Sequence, residues 1–331
     1  MDEITYASAK TLSKAIREKK VSALEVVNSH LKRIEEVNGK LNAVVTITAD
    51  RAIVEAKNAD KALSKGEPVG ALHGVPMTVK DSHDTEGIVS TGGTKGREKH
   101  IPKTDSTAVA RMRSEGAIVL GKTNTPELTL SFETDNLIFG RTNNPYNTEC
   151  TPGGSSGGAG AIIASGGSPL DLGTDTGGSI RVPSSFCGIT GLKPTSGRVP
   201  RTGHIISHSL GAIDALTTVG PMARYIEDLE LVYPLIAGPD WKDPAIIPMP
   251  IRQPKDVNIR SLKVSYFTNI ANLTATDDVV SATKSAVGAL RDIGVSVTAD
   301  MPEALGDSQG TSLLFADGGS AIRRLLSKWG T

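Results

Sequence analysis

The sequence predicts an α/β fold with a parallel pair of strands, and three observations carry that prediction. Helix-like and strand-like segments alternate along the chain. A strand at 74–81, a helix at 107–114 and a strand at 117–124 form a β-α-β unit whose two strands should run parallel. The same grammar returns near the far end, with "LKVSYF", a helix bearing Val279, Ala282, Ala286, Ala289 and Ile293, a stop at Gly294, and then "VSVTA".

Each element has a local cause. Leu24, Val27, Leu31 and Ile34 recur at helical spacing, Ser22 and Glu25 form an S-x-x-E capping box, and Gly39 is expected to end the helix begun at 22. "NAVVTI" reads as a short strand, residues 50–64 as a second helix, and "GVPMTVKD" as a buried strand running into a loop. Five of the 18 prolines fall between Pro239 and Pro254, which excludes regular structure there and predicts a surface connection over 239–260. The pattern on both sides is alike, so a single domain over 1–331 is expected.

Composition narrows the function. The chain has 331 residues, 38% of them hydrophobic, with 36 Lys plus Arg against 36 Asp plus Glu, so no basic surplus marks a nucleic-acid partner. Cys150 and Cys187 stand alone, with no CxxC or Cys/His spacing, which argues against a zinc site or a disulfide framework and for a reducing cytoplasm. "MDEITYASAK" lacks the features of a signal peptide, and no apolar run approaches the ~20 residues of a membrane helix. A soluble cytoplasmic protein without cofactor, membrane span or nucleic-acid partner is expected, with homo-oligomerisation left open.

Residues 151–195 pack Gly and Ser at linker density, yet "AIIA", "PLDLG" and "FCGITGL" interrupt them, which a flexible linker would not tolerate. Neither GxxxxGK[ST] nor GxGxxG is present, so a phosphate loop is disfavoured, although "DTGGS" could form an anion nest. "GGSSG" at 153–157 matches the nucleophile-elbow pattern, with Asp171, His204 and His208 following in hydrolase order, but turn-forming "NNPYNTECTPGG" stands where the elbow needs a strand. His204 and His208 also share i, i+4 spacing without a neighbouring carboxylate motif, so a loop or pocket-wall role is expected rather than a metal site. Cys187 in "SSFCGITG" reads as a small core residue.

The motifs "GVPMTVKD", "GKTNTPEL", "GGSSGG" and "LGTDTGGSIRVPSSFCGITGLKPT" together resemble the amidase signature family of Ser-Ser-Lys hydrolases, closest in wording to its fatty acid amide hydrolase-like branch. The resemblance implies a mixed, largely parallel sheet covered by helices on both faces. It implies a nucleophile at Ser179, a bridging Ser155 preceded by a cis bond from Gly154, and a lysine base at Lys80. It further implies an oxyanion hole from the N–H groups of Thr176, Gly177, Gly178 and Ser179. Asp175 and Arg181 are assigned supporting hydrogen bonds, and Ser156 is assigned to help hold Lys80.

Lys80 can act as a base only when neutral, which costs about 4–5 kcal/mol at neutral pH for an unperturbed amine, so Val75, Pro76, Met77 and Val79 must desolvate it. Asp81 would oppose this unless it points away. The leading expectation is a stand-alone amidase cleaving a small-molecule carboxamide, with the low charge of "SLGAIDALTTVG" suggesting an aryl or acyl amide, or an ester. The alternatives are the glutaminase subunit of a tRNA-dependent amidotransferase, set second because of the turn within "LGAIDALTTVGPMARYIED", and an inactive ligand-binding remnant. Family members usually continue past this point, so the C-terminal part of the fold is expected to be missing.

Overall fold

The computed structural model describes residues 2–207, 215–270, 273–302 and 317–329. They divide into two compact units, Met1–Met249 with Asp317–Thr331, and Pro250–Ala316. The helices of the larger unit are α1 (Asp2–Tyr6), α2 (Ala9–Arg17), α3 (Ala23–Leu41), α4 (Ala49–Ser64), α5 (Thr107–Ser114), α6 (Gly157–Ala164), α7 (Arg181–Phe186) and α8 (Ile226–Ile236). Its strands are β1 (Val44–Ile47), β2 (Pro76–Lys80), β3 (Ile118–Thr123), β4 (Leu170–Asp175), β5 (Thr190–Gly191) and β6 (Thr218–Ala223). The smaller unit contains β7 (Lys263–Tyr266), β8 (Asn269–Ile270), β9 (Leu273–Thr274), α9 (Asp277–Asp292) and β10 (Ser296–Ala299), and α10 (Ser320–Trp329) belongs to the larger.

The large sheet has the order β1-β3-β2-β4-β6-β5 and is flanked by helices. Its centre, β3-β2-β4, is parallel, with β2 and β3 joined through α5 as the sequence predicts. β1 and β6 run antiparallel to their neighbours, and β5 is antiparallel to β6, so four of the six strands share one direction. Every residue of β2, β3, β4 and β6 is buried. That explains why these strands lack polar alternation: a parallel centre is covered on both faces. Helix α6 is apolar on all sides for the same reason. Its Ala161 and Ile162 enter the main core, whereas Ala159 and Ile163 pack with Ile180 and Met222. The glycine-rich stretch read as a puzzle in the sequence is therefore α6, β4 and α7 in succession.

Helix α3 departs from expectation at its end. Gly39 does not stop it; the helix continues to Leu41, and Asn42 closes it in the left-handed region at φ 50°. An exposed mid-helix glycine weakens a helix by only ~1 kcal/mol, and burial of Leu41 two residues later outweighs that. The Asn38 carboxamide then accepts from the N–H groups of Ala43 and Val44, fixing the turn into β1. In the smaller unit β7 and β10 pair in parallel on either side of α9, again as the sequence predicts. Residues 239–253 contain neither helix nor strand, and short 3-10 turns follow at Pro254–Asp256 and Ile259–Ser261. No helix among the described residues is long and apolar enough to cross a membrane.

The capping box at α3 is present in both directions, Ser22 to the Glu25 N–H and Glu25 to the Ser22 N–H. Ser22→Ala should lower stability by about 1 kcal/mol, read in urea unfolding as a lower midpoint at unchanged slope.

Candidate active site

Lys80 is the last residue of β2, and its side chain is fully buried. Its Nζ lies 2.7 Å from Ser155 Oγ and 3.0 Å from Thr174 Oγ1, hydrogen-bonded to both. Burial pushes the amine down to about 7, against the opposing pull of the Asp171 and Asp175 carboxylates. Asp81 turns away from the amine, accepting from the Thr91 N–H at 3.0 Å and from the Thr91 hydroxyl. The neighbouring charge that the sequence raised as a complication is thus spent elsewhere, and Asp171 and Asp175 take its place.

Ser155 sits in the bend before α6, and the Gly154–Ser155 peptide is cis. Gly154 has a steric reason to be glycine: a β-carbon there would lie 2.8 Å from Glu133 N, Phe132 C and Ser131 O. A loop passing directly over the serine pair leaves no room for a side chain. Thr134 clamps the segment from both ends, donating to the Gly153 carbonyl at 2.9 Å and accepting from the Gly157 N–H at 3.1 Å. The Ser156 N–H donates to the Ser179 carbonyl at 3.1 Å, which holds the two serine-bearing segments together. The Ser156 hydroxyl faces the Thr174 main chain, at 3.4 Å from its carbonyl and 3.5 Å from its N–H. Thr174, not Ser156, is the second hydroxyl on Lys80, which corrects the role expected for Ser156.

The turn 176–180 carries Ser179 out of β4 and into α7. Asp175 organises it from below: its carboxylate accepts from the N–H groups of Gly178 (2.8 Å), Ile180 (3.0 Å) and Arg181 (3.3 Å), and from Arg181 Nε (3.0 Å) and Nη2 (2.9 Å). Burial would raise this carboxyl, but the Arg181 guanidinium and these N–H donors outweigh it and hold it below its ordinary range. Gly178 adopts φ +140°, a conformation that side chains resist. Its N–H is consumed by Asp175, which removes it from the four oxyanion donors expected. Among the described residues, nothing accepts from the N–H groups of Thr176, Gly177 and Ser179 or bonds the Ser179 hydroxyl.

Cys187 is buried, its thiol is pushed up to about 12 by desolvation, and it plays no part in this cluster. His204 pairs with His83 instead of a serine, their ring centroids 5.0 Å apart, and burial pushes His204 down to about 3, leaving it neutral. His208 and part of the stretch expected to form an apolar rim lie outside the described residues. No group of three or more His, Cys, Asp or Glu suited to a metal occurs among the described residues. Sequence reading missed Thr174, which looks like any strand threonine, and Thr134, for which no local signal exists. It also offered Asp171 only as a triad partner for histidine, whereas its carboxylate binds Thr78, Thr123 and the Lys80 N–H.

A parallel-centred sheet that brings a fully buried lysine to a buried serine places this chain among proteins of the amidase kind. The family model described as Amidase matches residues 25–328, and the chain belongs to that family. Among curated proteins, it is 43% identical over 241 residues to the glutamyl-tRNA(Gln) amidotransferase A subunit of Carboxydothermus hydrogenoformans, covering 73% of this chain and 49% of that one. Among solved structures, it is similar to fatty acid amide hydrolase, with TM-score 0.88 and 28% identity over 99% of this chain and 58% of that chain. It is also similar to 6-aminohexanoate cyclic dimer hydrolase, with TM-score 0.85 and 29% identity over 98% and 68%. The chain thus spans about half the length of the amidotransferase protein it matches. The curated similarity favours the amidotransferase reading, which the sequence alone ranks second.

Neutral Lys80 gives stability a definite pH dependence. Between about pH 7 and 10 the folded amine is largely neutral while the unfolded one stays protonated, so the unfolded state binds more protons and raising the pH favours folding. Relative to Lys80→Met, the parent chain should gain about 3 kcal/mol of unfolding free energy from pH 7 to pH 10 in urea titrations. An identical pH response in both would mean that the folded lysine is charged.

Proposed function

We propose that this chain cleaves a carboxamide through an acyl-enzyme on Ser179, with Lys80 as base acting through Ser155. The 2.7 Å contact between a fully buried amine, pushed down to about 7 by desolvation, and the Ser155 hydroxyl carries this reading. The Lys80 lone pair takes the Ser155 proton as Ser155 takes that of Ser179, and the freed Ser179 Oγ bonds to the carbonyl carbon. The carbonyl oxygen gains the negative charge and is met by the N–H groups of Thr176, Gly177 and Ser179. As the C–N bond breaks, the lysine proton returns through Ser155 to the leaving nitrogen. Water then attacks the Ser179 ester, giving its proton to the same relay and releasing the acid.

The similarity to glutamyl-tRNA(Gln) amidotransferase proteins supports the primary carboxamide of glutamine as substrate, with ammonia released for use by a partner protein. A stand-alone amidase for an aryl or acyl amide is the second reading. It is favoured by the exposed Phe132 ring, 3.4 Å from where a β-carbon on Gly178 would sit, which offers an apolar contact beside Ser179.

A fluorophosphonate probe followed by intact mass should add once to the parent, not at all to Ser179→Ala, and at least about 100-fold more slowly to Lys80→Ala. Ammonia release from glutamine, alone or with a partner, would support the first substrate class, and turnover of acyl anilides only would support the second. A folded chain that takes no adduct would overturn both in favour of an inactive remnant.

A further inference from the structure

Asp171 is buried on β4, and its carboxylate reaches the other two strands of the parallel centre, the adjacent β2 and, beyond it, β3. One oxygen accepts from the Thr78 hydroxyl on β2 at 2.6 Å and the Thr123 hydroxyl on β3 at 3.0 Å, and the other accepts from the main-chain N–H of Lys80 at 3.1 Å. The Thr78 N–H is likewise taken by a side chain, Ser168 Oγ at 3.0 Å. Two successive β4-facing N–H groups of β2 are thus bonded by side chains from around β4. The β2–β4 ladder accordingly has only two paired positions, Thr78 with Asp171 and Val79 with Leu172, and ends just before Lys80.

A buried carboxylate with hydroxyl and amide donors but no cation at contact distance is expensive to retain. Its nearest compensating charges are the two buried lysines, Lys80 and Lys122. We propose that Asp171 is a positioning residue for Lys80: it pins the main chain that presents the amine, and it supplies the standing negative charge that the amine meets when it becomes an ammonium. This rests on the proposed role of Lys80 as base. Burial raises the Asp171 carboxyl to about 6 and pushes the Lys80 amine down to about 7, so as the pH rises the carboxylate forms ahead of the neutral amine.

The surroundings of both groups are fixed. Lys80 faces Asp171 within β4, Asp175 at its end, and the neutral rings of His83 and His204 from the loops that follow β2 and residue 201. Asp171 faces Lys80 and, from β3, Lys122, which is itself opposed by Asp81 and Asp84. Asp175 is already engaged by Arg181, which leaves Asp171 as the carboxylate near Lys80 without a contacting cation.

The test is Asp171→Asn in the full chain, with the Lys80 amine titrated by NMR after 15N-lysine labelling and assigned by its loss in Lys80→Met. The pH dependence of fluorophosphonate labelling at Ser179 is measured beside it. The Lys80 midpoint should fall by about one pH unit, and the acid limb of the labelling rate should move to lower pH with it while the alkaline plateau drops. A structural role alone would lower the rate at every pH and leave the midpoint in place; an unmoved midpoint overturns the proposal. Should Ser179 fail to label in the parent, the reading of the site as an amidase falls, and the NMR midpoint still decides the role of Asp171. If the asparagine variant does not fold, Thr123→Val keeps the carboxylate but removes one donor. Loss of that donor raises the carboxyl further toward the range of Lys80, thins the negative charge there and should shift the lysine midpoint the same way by less, and no shift counts against the proposal as well.

Discussion

The structure depends on keeping one amine dry. Lys80 ends a strand whose every residue is buried, in a sheet covered on both faces, and its nitrogen is bonded by Ser155 and Thr174. Desolvation is the largest influence on its proton, larger than the pull of two nearby carboxylates. The parallel centre, the apolar α6 and the side-chain bonds to the β2 main chain all serve that end. A more open sheet would return the lysine to its ordinary charge.

Glycine and serine take their places around that amine for steric reasons. Loop 131–133 crosses so close to Gly154 that any side chain there would strike main-chain atoms, and Thr134 then bonds the residues on either side. Close approach of two backbone segments permits a serine hydroxyl to be both buried and near a lysine. A composition that resembles a flexible linker therefore describes one of the most confined parts of the molecule.

Legibility followed the range of the forces involved. The capping box of α3, the β2-α5-β3 unit and the β7-α9-β10 unit could be read because their signals lie within a few residues of each other. Lys80, Ser155, Asp175 and Arg181 could be read from motifs. What escaped depended on contacts between distant segments: Thr174 against Lys80, Thr134 across Gly153 and Gly157, and Asp171 joining three strands. Gly39 misled because an exposed glycine signals a stop only when no buried residue follows it, and Leu41 follows. The engagement of the Gly178 N–H escaped as well, because the sequence cannot show which N–H a carboxylate beneath the turn will claim.

Asp175 also settles how a turn made largely of small residues can be firm. Packing usually immobilises a loop by covering it, and to that cover this turn adds a charge that tethers it from its inner side. In the proposed reaction an arriving carbonyl would meet amides whose orientation was settled when the chain folded, and little ordering would remain to be done at that moment. Within these five residues Gly177 is exposed while Gly178, Ser179 and Ile180 are buried, so the turn is held both by that charge and by packing.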